Sequence, residues 1–265
     1  VFYQKGDWNA GLSFKLLKLS PGYSMLSSAV SYINKYQYSN GNPNLVPQIH
    51  RGFSLNAGWK WINLDLYYDH TLDMYTSYLK PYDDVNHPGV SLMTKASIPH
   101  TYAYGGAISA TPKIGFWQPN ISTDIFCFHS NARSLGIEQL WSEPLFSFRL
   151  DNSFLLPQGW FINLTGSIST RAKQSYAIFK RNGYVDLRIS KTFCSDQNLQ
   201  VSIVGYDIFR TRLGKRFDMY GDRTFIQEDS YADSQRIGVR ISYKFNATKN
   251  KYKGSGAGQS EKERL

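Results

Sequence analysis

Residues 236–245 read Arg-Ile-Gly-Val-Arg-Ile-Ser-Tyr-Lys-Phe. Ile237, Val239, Ile241, Tyr243 and Phe245 alternate without a break with Arg236, Gly238, Arg240, Ser242 and Lys244. A side-chain period of two belongs to a β-strand with one apolar and one polar surface. About ten residues is also the length a tilted strand needs to cross a bilayer. The stretch ends on an aromatic residue and a polar segment follows it.

The same rule lays out nine strands upstream. Ala10, Leu12, Phe14 and Leu16 share a face in the first, Phe53, Leu55, Ala57 and Trp59 in the second, and Ile62, Leu64, Leu66 and Tyr68 in the third. The fourth, over 101–111, is less regular, and the fifth, near 121–130, is mixed. Phe146, Phe148, Leu150 and Phe154 mark the sixth, and Trp160, Ile162, Leu164 and Ile168 the seventh. Val185, Leu187 and Ile189 mark the eighth, and the ninth runs from Leu199 to about Phe209. Connections alternate short and long: tight turns near 60, 112–119, 157–159 and 195–198, and long loops at 18–48, 78–100 and 211–230. A soluble sandwich has no reason to sort its loops in this way, whereas an outer-membrane barrel keeps short turns inside and long loops outside. The expected architecture is therefore an all-β, antiparallel transmembrane β-barrel spanning 1–245. A flexible polar periplasmic tail is expected at 246–265.

Charged residues inside the strands fall on the polar face, which in a bilayer is the lumen. Asp65, Arg149, Asp151, Asp186, Arg188 and Arg240 are the expected lumen-lining residues. Aromatics form 15% of the chain and Tyr supplies 19 residues, which suits girdles at a membrane interface. No stretch approaches the roughly 18 consecutive apolar residues of a transmembrane helix. The chain opens at Val1 without a charged and apolar leader, and is expected to be processed or a fragment. The net charge of +10 is spread along strands and tail rather than clustered, which argues against nucleic acid. Cys127 and Cys194 lack metal-ligand spacing, fall three strands apart, and are expected to be free.

Ser24-Met-Leu-Ser-Ser28, Gly41-Asn-Pro-Asn-Leu45, Leu156-Pro-Gln-Gly159, Asp207-Ile-Phe209 and the segment from Tyr243 to Leu265 resemble a Bacteroidetes outer-membrane β-barrel family related to TonB-dependent receptors. The resemblance implies about ten strands of a larger, 22-stranded barrel whose plug and TonB coupling reside in an N-terminal part that this sequence does not contain. It also implies ligand uptake across the bacterial outer membrane. The implied partners are membrane lipid, the plug and TonB complex, the barrel-assembly machinery engaging the strand that ends at Phe245, and a surface lipoprotein.

Tyr32, Tyr36 and Tyr38 in the first long loop, with Tyr75, Tyr78, Tyr82, Asp83 and Asp84 around the second, are the candidate ligand contacts. Aromatic faces stack on sugars or flat chelates, and carboxylates accept hydroxyl hydrogen bonds. His50, His70, His87, His100 and His129 are scattered without HxxxH or HExxH spacing, and Asp69 and His70 point to opposite faces. Catalysis, metal and cofactor are therefore not expected; Asp83, Asp84 and Asn86 also lack the EF-hand spacing. Two alternatives stay open: a complete ten-stranded barrel acting as enzyme or adhesin, and a soluble β-rich carbohydrate-binding module.

Overall fold

The computed structural model describes residues 1–193, 198–212, 216–230 and 233–245. The path of its main sheet is an eleven-stranded antiparallel meander, with the short strands 31–34 and 37–39 attached off that path. The strands are β1 (Phe2–Lys5), β2 (Trp8–Leu19), β3 (Gln48–Trp59), β4 (Ile62–Asp83), β5 (His87–Ala110) and β6 (Trp117–Ser130), followed by β7 (Leu145–Leu156), β8 (Trp160–Ser169), β9 (Asn182–Phe193), β10 (Leu199–Tyr206) and β11 (Arg236–Tyr243). The expected turn at 195–198, apart from Asn198, lies outside the described residues, as do Cys194 and the segment 246–265. Cys127 is free.

Two sequence expectations are corrected. An eleventh strand, β1, precedes the ten: Phe2 to Lys5 pair with Gly11 to Trp8 around Gly6, whose φ of 57° suits glycine. Four residues are too few for alternation to register. The segment 78–100 is also no loop. β4 and β5 run for 22 and 24 residues, and their ladder continues past the other strands to Asp83 and His87. Pro81, Pro88 and Pro99 disguise it, because proline usually signals an edge or a break.

The two faces of the sheet differ in kind. On one, Leu55, Leu66, Gly106 and Ile125 lie in register across four strands. This face is bare: Leu66, Ile108, Phe148, Leu164, Ile203 and Val239 are all exposed. A soluble sandwich would cover it with a second sheet. The opposite face is knitted by polar bonds, among them Ser13–Ser54 at 2.7 Å, Thr165 to Asp151 at 2.6 Å, and Ser190 to Ser202 at 2.9 Å. Apolar side chains outside and paired polar ones inside suit hydrocarbon outside and a wet lumen inside.

Burial is concentrated beyond the long-connection end. There Ile98, Ala132, Ile137 and Tyr176 form an apolar core, with Tyr78, Leu135, Leu140 and Met219 packed against it. A second sheet of five short strands, 141–142, 172–175, 177–179, 216–220 and 225–229, stands over the extended β4–β5 hairpin. Tyr176 joins the two: its hydroxyl donates to the Ser77 carbonyl at 2.9 Å and also bonds Thr76. Gln174 donates to the Phe126 carbonyl at 2.9 Å, tying the second sheet to β6. At Gly221 a Cβ would come within 2.3 Å of the Leu79 carbonyl oxygen, so that close approach requires glycine.

Leu66→Arg places a charge on the bare face and is expected to cost about 2–4 kcal/mol where that face meets hydrocarbon. Ala107→Arg lies one residue away on the other face, opposite Asp65 and Asp124. It is expected to fold like the parent. Urea unfolding in lipid vesicles, followed by heat-modifiable gel mobility, compares the two.

Candidate functional site

The aromatic cluster is assembled by the extended hairpin. Residues 31–34 and 37–39 form a small hairpin whose second strand pairs parallel with β5, Gln37 with Ser91 through Ser39 with Met93. The motif at 41–45 anchors it: the Gly41 and Asn42 N–H groups donate to the carbonyls of Ser27 and Met25, and the Asn42 amide donates to Lys95 at 3.1 Å. Tyr32 and Tyr38 then meet edge to face at 5.8 Å, Tyr38 meets Tyr82 at 4.7 Å, and Tyr82 meets His87 at 5.5 Å. Tyr36 stays exposed beside them with the Lys35 ammonium 4.7 Å above its ring.

Asp83 closes the hairpin. Its carboxylate accepts the Asn86 amide at 2.7 Å and the N–H groups of Asn86 and Val85, and these bonds hold it below the usual carboxylate range. That carboxylate therefore braces the turn. Asp84 pairs with Arg223 at 3.3 Å. Tyr75 lies lower, its hydroxyl donating to the Leu19 carbonyl at 2.9 Å and accepting from the Gln48 N–H at 3.0 Å. Tyr78 packs on the apolar core, where burial pushes its phenol upward. The structure thus brings Tyr32, Tyr36, Tyr38 and Tyr82 to one end with Asp83, and sets Tyr75 and Tyr78 in the scaffold beneath them.

On the polar face three of the six charged residues join one network. Arg149 pairs with Asp151 at 2.8 Å and reaches the Tyr184 hydroxyl at 3.2 Å. The Arg212 guanidinium lies 3.6 Å from the Tyr184 ring centroid and pairs with Asp186 at 2.9 Å. Asp186 in turn accepts the Asp207 N–H at 2.7 Å. Asp207 is fully buried and accepts from the Thr211 and Arg212 N–H groups and from Ser234. Burial pushes its carboxyl upward, but those hydrogen bonds and the Arg212 charge outweigh burial and hold it below the usual range. Asp65 bonds Asn56. Arg188 and Arg240 have no carboxylate partner among the described residues.

Sequence reasoning missed Tyr184, Arg212 and Asp207 as members of this network. Only Tyr184 left a signal, two residues before Asp186 on the same face. It also missed a gathering of histidines. His70 Nε2 and His100 Nδ1 are 3.2 Å apart, and the His70 ring stacks on Tyr102 at 4.7 Å. Tyr102 pairs across the next ladder with His129. Asp69, next to His70, faces the other way and meets His50 at 3.1 Å. Among the described residues no group of three or more His, Cys, Asp or Glu is placed to hold a metal ion.

The family model described as "Outer membrane protein beta-barrel family" matches residues 4–243. No curated protein matches significantly. Solved structures share the fold at low identity. A mutant ferric enterobactin receptor (PfeA) from Pseudomonas aeruginosa, in complex with enterobactin, aligns with a TM-score of 0.63 at 11% identity, over 92% of this chain and 39% of that one. The siderophore receptor PirA of the same organism gives 0.58 at 12%, over 79% and 38%. The pyoverdine outer membrane receptor FpvA bound to pyoverdine gives 0.56 at 12%, over 92% and 35%. The chain spans less than two fifths of the length of each.

Because the folded Asp207 carboxyl is more acidic than an unfolded one, its contribution is present above the ordinary Asp range near pH ~4 and lost as pH falls through the lowered folded value. Protection of the 207–212 amides, taken relative to their intrinsic exchange rate at each pH, is expected to be high at neutral pH and to fall in acid. Asp207→Asn is expected to remove that acid step and to cost about 1–3 kcal/mol at neutral pH. An acid step that persists in the variant would show that another group controls the segment.

Proposed function

The chain belongs to the outer membrane protein beta-barrel family, and from that premise we propose that it forms barrel wall and outer capture surface of a TonB-dependent receptor for ligand uptake. The observation that carries this reading is the long β4–β5 hairpin, which holds Tyr32, Tyr38 and Tyr82 together beyond the sheet and is braced by a second sheet. Such bracing fixes aromatic faces before a ligand arrives, which lowers the ordering cost of binding.

Stacked tyrosines with exposed hydroxyls fit a flat or polyhydroxylated ligand, a metal chelate or a glycan. Uptake needs no covalent chemistry from these residues. Arg188 and Arg240, on the lumen face with no carboxylate partner among the described residues, are suited to meet a plug inside a barrel closed by further strands. Energy coupling through TonB belongs to that plug, and the strand ending at Phe245 is the element offered to the assembly machinery. A surface lipoprotein partner fits the outer sheet.

An antibody against Lys249–Leu265 is expected to mark an outer-membrane band several times larger than 30.3 kDa. A band at that mass would overturn the receptor reading in favour of a closed small barrel. In whole cells, Tyr38→Ala and Tyr82→Ala are each expected to weaken capture of a labelled ferric catecholate chelate or oligosaccharide about tenfold, the effect of losing one aromatic contact of about 1.4 kcal/mol. Unchanged capture by both variants would place the ligand elsewhere.

A further inference from the structure

The bare face of β2–β6 can be read as successive rows in register. The row at the short-turn end is Trp8, Trp59, Ile62, Ala110 and Ile121. Two rows follow that are aliphatic but for Thr123 and Gly106, then Phe14, Phe53, Tyr68, Tyr104 and Cys127. The next row changes character: Leu16, Arg51, His70, Tyr102 and His129. Beyond it come Lys18, Ile49, Leu72 and His100.

From Trp59 to Arg51 is eight residues, about 27 Å along a strand. A tilt of 35–45° leaves roughly 20 Å along the membrane normal, and the Lys18 row stands at about 26 Å, so the two rows straddle the edge of an apolar band about 25 Å tall. Long connections leave from this end, which makes it the outer leaflet. The cations are confined to part of the wall. On the same face of β7 and β8 the outermost paired residues are Phe148 and Ile168.

These cations are not spent on protein carboxylates. Neither Lys18 nor Arg51 has an acidic partner among the described residues. Asp69, next to His70 in sequence, lies on the other face and is engaged by His50. His70 and His100 use one ring nitrogen each on one another, leaving His70 Nδ1 and His100 Nε2 without a partner among the described residues. Lys18, Arg51, His100 and His129 are exposed. From β3 to β6 the row is three strand spacings wide, about 14 Å. The Lys18 ammonium, the Arg51 guanidinium and imidazole N–H donors at the rim of hydrocarbon, on the side that meets lipid, face phosphates.

We propose that Lys18, Arg51, His70, His100 and His129 form a binding site for the phosphate-bearing headgroup of an outer-leaflet lipid, on the outside of the barrel wall. The site is independent of ligand uptake and of the tyrosine cluster.

The test uses the intact protein extracted from outer membranes in mild detergent, with bound lipid read by native mass spectrometry and by organic phosphorus per protein. The parent is expected to retain a phosphate-bearing lipid, and the triple variant Arg51→Gln, His70→Gln, His129→Gln to retain several-fold less with unchanged heat-modifiable mobility. Arg51→Lys, which keeps the charge, is expected to retain most of it. Lys15→Gln, on the same strand as Lys18 but the opposite face, is expected to match the parent. Equal lipid in parent and triple variant would overturn the proposal. So would displacement of the lipid signal by inorganic phosphate alone, which would mark a site for free phosphate. If the triple variant fails to assemble, Arg51→Gln alone is read against Arg51→Lys, and equal retention by these two would overturn it.

Discussion

A backbone that crosses hydrocarbon has no water to satisfy its N–H and C=O groups, and every other feature of this chain follows from that constraint. Ladders between neighbouring strands supply the bonds, and a period of two then sorts side chains into a lipid face and a lumen face. Leu66 and Asp65, adjacent in sequence, therefore live in opposite solvents. Polar side chains that would be costly in mid-membrane are gathered inside and many are paired, as Arg149 is with Asp151 and Ser190 with Ser202. No buried apolar core is needed between the faces, because lipid completes one of them.

The conventional core appears only where lipid ends. Ile98, Ala132, Ile137 and Tyr176 bury one another beyond the sheet, in water, where the hydrophobic effect again favours it. The outer end is thus a small conventionally packed fold standing on a membrane-supported one. Its rigidity comes from four outer connections packed together: the β4–β5 hairpin and the segments that carry Ile137, Tyr176 and Met219.

The membrane-spanning parts were legible in the sequence because one face meets a uniform apolar solvent. Trp160, Ile162, Leu164 and Ile168 needed no tertiary context to be read. The outer ends of β4 and β5 were not legible for the opposite reason. Leu92, Thr94, Ala96 and Ile98 alternate inward, but Thr94 interrupts the apolar pattern and Pro88 and Pro99 flank it. The tyrosines at 32, 36 and 38 were visible as neighbours, whereas the meeting of Tyr38 with Tyr82 depends on a parallel pairing that composition cannot disclose. Arg212 gave no sign at all, since its partners Asp186 and Tyr184 sit more than 25 residues upstream. The histidine row stayed hidden because strand register, not spacing, aligns it.

The meander also governs the order in which structure can form. Each ladder of the main sheet joins chain neighbours, so its loops close over short distances and at small entropic cost. The bonds from Tyr176 to Thr76 and Ser77 span 100 and 99 residues. They cannot form until β4 to β8 are in place and hold their ends near one another. Outer-surface closure is therefore a late event, and a chain arrested before it would carry a finished wall with an unassembled outer face.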